Sequence, residues 1–336
     1  MEYSDYPKIV VEDIVRLRRR IEKSQIPLKQ VDQNLIIGTW NVRQFSRIYQ
    51  KWDENAGNPK RNLRAMAYIA EIIKRFDVIA IQEVKADTSG IHMLVEQFLG
   101  NDWGLIMSDI SAGSGGNTER LAFVFDRRRV QPSGLAGEIV LPPTAEGNPM
   151  TQFDRTPYIV GFKSLQDHFA LLTAHIKYGR IPTDRISEIK SLAEYIASEI
   201  RDRIKTLTEE QNLIVLGDFN IEERGDNPLF QAFVSTGLMV PSALLNLRTT
   251  YDTKAKFYDQ IAWFMGQLAL LSEGRAGVID FAKAVYPEQT PQQMSFRVSD
   301  HFPLWVEFIT DRSKESMAKT LGVDPGAPDP FSEVPD

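Results

Sequence analysis

Short apolar runs alternate along this chain with longer amphipathic segments, and this alternation predicts its strands and helices. Eight apolar runs rich in branched and aromatic side chains predict β-strands at residues 34–40, 78–81, 121–125, 158–162, 169–174, 213–216, 258–264 and 303–308. Helical periodicity predicts helices at residues 10–23, 62–75, 91–99, 184–203 and 228–235. Continuous apolar strands are typical of sheets that are covered on both faces, so the pattern predicts a layered α/β protein. Strands between 121 and 174 follow one another without a helix, which predicts a partly antiparallel sheet.

The two ends of the chain differ from this middle part. The first predicted helix carries the basic cluster Arg16, Arg18, Arg19 and Arg20. A solvated helix face and an arm that binds nucleic acid both fit this cluster, and the charge pattern favours the first. Residues 322–336 hold four prolines and four acids but no base, which leaves too little apolar surface to fold. We expect a helical extension at 1–30, one main domain at 31–311 and a disordered acidic tail at 312–336.

Composition narrows the classes of protein that remain. Among 336 residues, 43% are hydrophobic and none is cysteine, which excludes disulfides, thiolate metal sites and a cysteine nucleophile. No apolar segment is long enough to predict a membrane-spanning helix, and no signal peptide is visible, so we expect a cytoplasmic protein. The net charge of −6 disfavours tight, non-specific binding to DNA. The net charge is only −2 for residues 1–321, which carry 41 acids and 39 bases. The basic residues near the site therefore say more about binding to DNA than the net charge does.

Polar side chains follow four of the predicted strands and precede the last one. They are Asn41, Gln82, Glu83, His175, Asp218, Asn220, Asp300 and His301. Any one of them alone is explained by turn or capping chemistry. Five strand ends that carry carboxylates, amides and two histidines are harder to explain in that way, because sites in α/β proteins collect where strands end.

These residue types suit metal-dependent hydrolysis of a phosphate ester. Magnesium prefers carboxylate and amide oxygens, and the chain offers Glu83, Asp300, Asp218 and Asn41 as ligands. A histidine transfers protons near neutral pH and works best when a carboxylate fixes its tautomer. Two further carboxylates, Glu119 and Asp259, are available for this role.

The set of strand-end motifs resembles the endonuclease/exonuclease/phosphatase superfamily. Four further segments resemble its deoxyribonuclease I-like branch: 76–85, 119–125, 153–157 and 258–261. The resemblance departs from that branch at Asn117, where the branch has a tyrosine, and at Gln260, where it has an arginine. Residues 111–118 also form a glycine-rich stretch that we interpret as a surface loop beside the site.

This resemblance implies a fold and a set of residue roles. The implied fold is a four-layer α/β sandwich with two mixed β-sheets packed face to face and helices outside. It implies that Glu119 pairs with His175, and that Asp259 pairs with His301. The implied metal ligands are Glu83, Asp300, Asn41 and Asp218. The implied phosphate-binding residues are Arg155, Lys85, Asn220 and Asn41, and Asn220 also belongs to the implied catalytic set.

The function expected from the sequence is that of a magnesium-dependent phosphodiester hydrolase, with Mn²⁺ as a substitute ion. The leading hypothesis is a deoxyribonuclease I-like endonuclease that cleaves DNA by in-line attack of water. His301 is the expected general base or aligns the water, and Asp218 competes for that role. His175 is expected to stabilise or protonate the phosphate ester on the side opposite the attacking water. The alternatives are a phosphodiesterase or phosphatase acting on a small molecule or lipid head group, and a catalytically silent binding module.

Overall fold

Two six-stranded β-sheets lie face to face in the computed structural model, with helices on their outer faces. The structure describes residues 1–54, 57–111, 115, 117–144, 146–201, 212–251, 254–264, 268, 270 and 272–334.

The first sheet contains strands from both ends of the chain. Its strands are β1 (Asn34–Phe45), β2 (Val78–Lys85), β3 (Trp103–Met107), β4 (Glu119–Asp126), β11 (Ala276–Val278) and β12 (Leu304–Ile309). They lie in the order β11-β12-β1-β2-β4-β3. β1 and β2 are parallel and the other neighbours are antiparallel, so the sheet is mixed.

The second sheet is built from the middle of the chain. Its strands are β5 (Gln131–Glu138), β6 (Tyr158–Ser164), β7 (Asp167–His175), β8 (Asn212–Asp218), β9 (Leu238–Met239) and β10 (Asp259–Phe264). They lie in the order β5-β6-β7-β8-β10-β9. Only the β7–β8 pair is parallel among these neighbours. This sheet is therefore mixed as well, as the sequence predicts.

Alternate residues of the strands pack against different layers. In β1, Leu35 and Ile37 belong to the core between the sheets, whereas Ile36 faces the helices that cover the first sheet. Phe123 of β4 contacts Phe162 of β6 across the two sheets, with ring centroids 5.6 Å apart. Both faces of the first sheet are thus buried, which explains why its strands are continuous apolar runs.

Helices cover the outer faces; the five predicted helices agree with the observed bounds to within a few residues, and two short helices near the C-terminus were not predicted. They are α1 (Lys8–Lys23), α2 (Leu63–Ile73), α3 (Ser89–Met93), α4 (Ile186–Tyr195), α5 (Pro228–Val234), α6 (Pro291–Ser295) and α7 (Ser313–Leu321). α3 continues as a π-helical segment at Leu94–Leu99, and α4 continues as one at Ile196–Ile200. The last two positions of the helix predicted at 184–203 lie outside the described residues.

All eight predicted strands are confirmed, and the described part of the chain contains four more that were not predicted. The additional strands are β3, β5, β9 and β11. β5 alternates between exposed and half-buried residues and contains a proline and two glycines, so it lacks an apolar run. β9 and β11 have only two and three residues, which is too short for a periodicity to show.

The C-terminal segment differs from the expected tail. Ser313–Leu321 is helical within the range 312–336, for which disorder is expected from the sequence. Arg312 forms an ion pair with Asp167, with Nη2 and Oδ1 2.7 Å apart. Ala318 is fully buried, and Gly322 ends the helix in the left-handed conformation. The ordered part of the chain therefore extends about a helix further than its proline and acid content predicts.

The basic cluster of α1 is largely paired with acids of the same protein. Arg16 pairs with Asp13, Arg18 with Glu71, and Arg20 with Asp280, with 3.0 Å between Nη2 and Oδ2 in the last pair. These ion pairs favour the interpretation of α1 as a helix packed on the main domain. Within the described residues, no helix combines the length and the apolar character that spanning a membrane requires.

Candidate active site

Strand register brings three predicted site residues of the second sheet side by side. His175 at the end of β7 lies opposite Asp218 at the end of β8 in their parallel pairing. Asp259 at the start of β10 lies opposite Asp218 in the antiparallel pairing. Ends of parallel strands and the start of an antiparallel neighbour meet at one edge, so these side chains share one end of the sheet.

The first sheet supplies a second group at the same end of the sandwich. Asn41 lies opposite Gln82 in the β1–β2 pairing, and Lys85 lies opposite Glu119 in the β2–β4 pairing. Glu83 lies where the register of both pairings shifts, and its φ of 62° is left-handed. Such a backbone conformation is uncommon for glutamate and is found mostly where the surrounding structure enforces it.

Each site histidine is held by one carboxylate, as the resemblance implies. Nδ1 of His175 lies 2.9 Å from Oε2 of Glu119, and Nδ1 of His301 lies 2.8 Å from Oδ2 of Asp259. All four side chains are buried. A carboxylate that accepts from Nδ1 orients the ring and leaves Nε2 facing away from the pair.

Asp218 lies between the two histidines. Its Oδ2 is 3.5 Å from Nε2 of His175 and 3.9 Å from Nε2 of His301. The same oxygen accepts a hydrogen bond from Nδ2 of Asn41 at 2.9 Å, and Oδ1 accepts one from the backbone N–H of Asn220 at 2.8 Å. The two imidazoles therefore face one central carboxylate from two directions.

Charges within this cluster shift the pKa values of Asp218 and His301. Burial raises the pKa of Asp218, but the charges of His301 and His175 outweigh burial and hold that pKa below its ordinary value. Burial lowers the pKa of His301, but the charges of Asp259 and Asp218 raise it well above its ordinary value. The negative charge of Asp218 and the positive charge of a protonated imidazole thus stabilise each other in this cluster.

Three nitrogen-bearing side chains surround the carboxylate of Glu119. Nδ1 of His175, Nζ of Lys85 and Nε of Arg155 lie 2.9, 2.9 and 2.8 Å from its carboxylate oxygens. Burial raises the pKa of Glu119, but the interactions with His175, the charge of Arg155 and the hydrogen bond from Lys85 lower it to about 2. Asn117 also donates from Nδ2 to Oε1 of Glu119 at 2.6 Å.

Arg155 is oriented by Glu119 but keeps unused hydrogen-bonding capacity. Its Nη1 is buried and has no hydrogen-bond partner among the residues that the structure describes. A buried donor without a partner is costly to leave unsatisfied. Nη1 of Arg155 can therefore donate a hydrogen bond to a phosphate oxygen at this position.

Asp300 lies at the edge of the site and is about a third exposed. Its Oδ2 is 3.2 Å from Nη1 of Arg43, and the next residue, Gln44, donates its backbone N–H to Oε2 of Glu83 at 2.9 Å. Oε1 of Glu83 accepts from Nδ2 of Asn41 at 2.9 Å. The residues 41–44 therefore connect three of the expected metal ligands.

The expected ligands have the donor types of a hard divalent cation site, but of their carboxylates only Asp218 belongs to the described group of acids and histidines close enough to share an ion. Oδ1 of Asn41 and Oδ1 of Asp259 are buried and have no hydrogen-bond partner among the described residues. One ligand atom each of Asp218, Asp259 and His301 lies within 4.8 Å of the others. Carboxylate and amide oxygens with free lone pairs are the donors that Mg²⁺ prefers. The cluster also includes Asp259, which the resemblance places only in a histidine pair.

The structure gives little support to the roles that the sequence suggests for Asn220 and for the glycine-rich stretch. Nδ2 of Asn220 donates to the backbone carbonyl of Ile176 at 2.7 Å, so this amide is already engaged. Its role in holding a phosphate stays a prediction. Of the segment 113–116, only Gly115 lies within the described residues, so the predicted surface loop falls mostly outside them.

Several contacts that support the site were not found from the sequence. Gln82 is fully buried and donates from Nε2 to the hydroxyls of Thr39 and Thr173, at 3.0 and 2.9 Å, which joins the two sheets. Ser299 donates to the carbonyl of Asn41 at 2.6 Å and accepts from the backbone N–H of His301 at 3.0 Å. Hydroxyl residues inside apolar strands give no signal in a sequence, because their partners come from distant segments.

A comparison with protein families identifies the chain. Residues 38–239 match the model of the endonuclease/exonuclease/phosphatase family. The chain belongs to this family. The resemblance inferred from the strand-end motifs is thereby confirmed, and this chain is a hydrolase that acts on phosphate ester bonds.

Similar proteins include several deoxyribonucleases. A deoxyribonuclease of Thioalkalivibrio sp. (strain K90mix) is 28% identical over 286 residues, covering 82% of this chain and 71% of its own. Deoxyribonuclease gamma of Rattus norvegicus is 27% identical over 307 residues, covering 86% of this chain and 89% of its own. These relatives support the deoxyribonuclease I-like branch within the family.

Solved structures confirm the fold. A mannosyl-6-phosphatase of Bacteroides thetaiotaomicron VPI-5482 matches with a TM-score of 0.55 at 18% identity, covering 82% of this chain and 99% of that one. D. rerio TDP2 complexed with a single-strand DNA product matches with a TM-score of 0.51 at 16% identity, covering 82% and 98%. The two-sheet sandwich is thus shared by proteins that act on different phosphate esters.

Proposed function

We propose that this protein is a magnesium-dependent endonuclease that hydrolyses DNA phosphodiester bonds by in-line attack of water. The observation that carries the proposal is the placement of Asp218 between two imidazoles, each held by its own carboxylate. Two proton-transferring groups on either side of one point suit a reaction that needs an activated water and a stabilised leaving oxygen. The deoxyribonuclease relatives favour DNA as the substrate.

The proposed metal ligands are Glu83, Asp300, Asn41 and Asp218. When bound, a divalent cation supplies charge neutralisation at the non-bridging phosphate oxygens and acidifies bound water. The free Oδ1 of Asn41 and the hard character of this donor set support Mg²⁺, with Mn²⁺ as a substitute.

His301 is the proposed general base or the group that aligns the attacking water. Asp259 accepts from Nδ1 and so directs Nε2 towards the site. Asp218 remains the alternative base, because its Oδ2 faces the same region. Replacing each of them by alanine and comparing the pH–rate profiles distinguishes the two. Only the replacement of the true base should remove the acidic limb of the profile.

On the other side of Asp218, His175 is proposed to stabilise or protonate the leaving oxygen. Glu119 orients its ring through Nδ1. Arg155 and Lys85 lie on the same carboxylate, so cationic groups surround the position where a phosphate would bind. Asn41 and Asn220 complete the proposed phosphate-binding set. We place the whole machinery in a catalytic domain at 31–311.

An activity panel tests the proposed function. Supercoiled plasmid, RNA, sphingomyelin and inositol phosphates are incubated with the protein in Mg²⁺ or Mn²⁺, and again after removal of metal with EDTA. We expect metal-dependent nicking of the plasmid that His301→Ala abolishes and His92→Ala keeps, because the side chain of His92 is half-exposed and lies beside that of Glu96. Turnover of sphingomyelin or inositol phosphates without plasmid nicking would favour the phosphodiesterase or phosphatase alternative. No turnover of any substrate would favour the silent module.

A further inference from the structure

Arg224 lies next to the proposed active site, in the loop that leads from β8 to α5. It is partly buried, and all three nitrogens of its guanidinium donate to oxygens of the protein. Nη2 donates to the backbone carbonyl of Asp259 at 3.1 Å, and Nε donates to Oε1 of Gln260 at 3.0 Å. These two residues begin β10, and Asp259 is the carboxylate that holds His301. Arg224 is therefore attached to the strand end that carries one histidine pair of the site.

The third nitrogen of Arg224 contacts a second segment that leads to the same histidine pair. Nη1 donates to the backbone carbonyl of Leu244. A few residues later, the hydroxyl of Thr249 accepts from the backbone N–H of Asp259 at 3.2 Å. The residue after Thr249 pairs with His301 in an antiparallel bridge. The guanidinium thus joins the segment that supports His301 to the strand that supplies its carboxylate.

The buried side chain of Gln260 connects Arg224 to the strand. Its Oε1 accepts from Arg224, and its Nε2 donates to the backbone carbonyl of Phe257 at 2.5 Å. The guanidinium also lies over the ring of Phe257, with Cζ 5.1 Å from the centroid. Gln260 occupies the position at which the deoxyribonuclease I-like branch has an arginine. In this chain a guanidinium reaches that place from the loop after β8.

The charge of Arg224 also acts on the histidine pair. Burial lowers the pKa of Arg224 to about 10, and the charge of Asp259 opposes that shift. The attraction is mutual, so the guanidinium stabilises the ionised carboxylate that accepts from Nδ1 of His301. An arginine suits this place because it combines a lasting charge with a planar, fixed set of donors.

We propose that Arg224 is a positioning residue that holds Asp259, and through it the ring of His301, in the orientation that the reaction needs. Its guanidinium nitrogens donate to protein oxygens, so it acts on the reaction through this pair. A small displacement of a proton-transferring group lowers the rate of the chemical step. The expected effect on rate rests on the proposed function, whereas the effect on the His301 ring is measured without a substrate.

Arg75 provides a matched control. It is also partly buried, and burial lowers its pKa as well. Its Nη2 donates to the backbone carbonyls of Ile26 and Pro27, each at 3.2 Å. R75Q and R224Q therefore remove similar interactions, but only R224Q removes them beside His301.

The hydrogen bond of the His301 ring is the first readout. ¹⁵N-edited proton spectra of histidine-labelled protein, without metal or substrate, record the Nδ1–H protons of His175 and His301. His175→Ala and His301→Ala assign the two signals. We expect R224Q to shift or broaden the His301 signal and to leave the His175 signal in place, and R75Q to leave both in place. An unchanged His301 signal in R224Q, or the same change in R75Q, overturns the proposal.

Plasmid nicking is the second readout, at a temperature at which both variants are folded. We expect R224Q to lower kcat about 10–100-fold with little change in KM, the usual effect of removing a residue that orients a group of the active site. R75Q should keep both parameters. An unchanged kcat in R224Q, an equal loss in R75Q, or a change in KM alone contradicts a positioning role.

R224K keeps the test available if R224Q disturbs folding. Lysine keeps the charge but offers one nitrogen in place of three, so it cannot donate to Leu244, Asp259 and Gln260 at once. We expect a shifted His301 signal and a partial loss of kcat. A wild-type signal together with a wild-type kcat in R224K would overturn the proposal.

These outcomes separate the role of Arg224 from the proposed function. A His301 signal that changes in R224Q but not in R75Q supports the positioning role even if no DNA is cleaved. Plasmid nicking by the wild type, with the His301 signal and kcat unaffected by R224Q, supports the endonuclease and overturns the positioning role.

Discussion

Glu119 and His175 lie on different sheets and meet through a hydrogen bond of 2.9 Å. Glu119 is the first residue of β4 in the first sheet, and His175 is the last residue of β7 in the second. The pair exists only because the two sheets pack face to face. It couples the geometry of the active site to the packing of the sandwich.

Glu119→Gln is expected to change the pH dependence of stability. The pKa of Glu119 is lowered to about 2 from an ordinary value of 4.5. Because the pKa is lower in the folded state than in the unfolded state, the ionised carboxylate stabilises the fold. This contribution is complete above about pH 4.5 and disappears as the pH falls towards 2. It is worth roughly 3 kcal/mol near neutral pH. Denaturant unfolding between pH 7 and pH 3 should show wild type losing its advantage over Glu119→Gln as the pH falls. Glu194→Gln, an exposed control, should follow wild type at every pH.

His175→Ala and His301→Ala are each expected to lower kcat for plasmid nicking by about 10²–10⁴, the usual contribution of a general acid or base. Both rings face Asp218 and each is fixed by a carboxylate, so neither can replace the other. Steady-state rates on a plasmid substrate measure the effect, with His92→Ala as the matched histidine control. Near wild-type activity in His301→Ala on every substrate would contradict its assigned role.

Gly217→Ala is expected to damage the site through the backbone. Gly217 has a φ of 139°, and an added Cβ would lie 2.1 Å from the carbonyl oxygen of Ala174. The clash separates β7 from β8 next to His175 and Asp218, so both stability and activity should fall. Gly137→Ala is the control, because nothing lies within 4 Å of its added Cβ. Melting temperature and plasmid nicking should be close to wild type for Gly137→Ala and reduced for Gly217→Ala.

Asp13→Ala is expected to destabilise the protein by about 3–5 kcal/mol, the usual effect of removing one partner of a buried ion pair. Asp13 is fully buried in α1 and pairs with Arg64 of α2 at 2.5 Å, and it also accepts a hydrogen bond from Tyr68. Glu12→Ala removes the neighbouring, half-exposed acid of the same helix and should change little. Denaturant unfolding gives both values. Equal stability of the two variants would show that α1 is not anchored by this pair.

Much of the fold follows from local patterns in the sequence. Runs such as 34–40 and 213–216 are apolar throughout, and both lie within buried strands. The strands β5, β9 and β11 gave no such signal because they are exposed or very short. Helix α7 was missed because an ion pair with Asp167 and the burial of Ala318 outweigh the composition of the surrounding segment.

Hydrophobic periodicity and strand-end motifs are local properties of a chain, so the sequence by itself determined the layered α/β class and the residue types of the site. The resemblance carried by those motifs implied the family and the two-sheet architecture. Only the tertiary structure decided that Asp218 faces both histidines and that Gln82 joins the sheets through Thr39 and Thr173. It also decided that Arg224 contacts Asp259 and Gln260 at the start of β10. These relationships depend on sheet packing and strand register, which bring together side chains that are far apart in sequence.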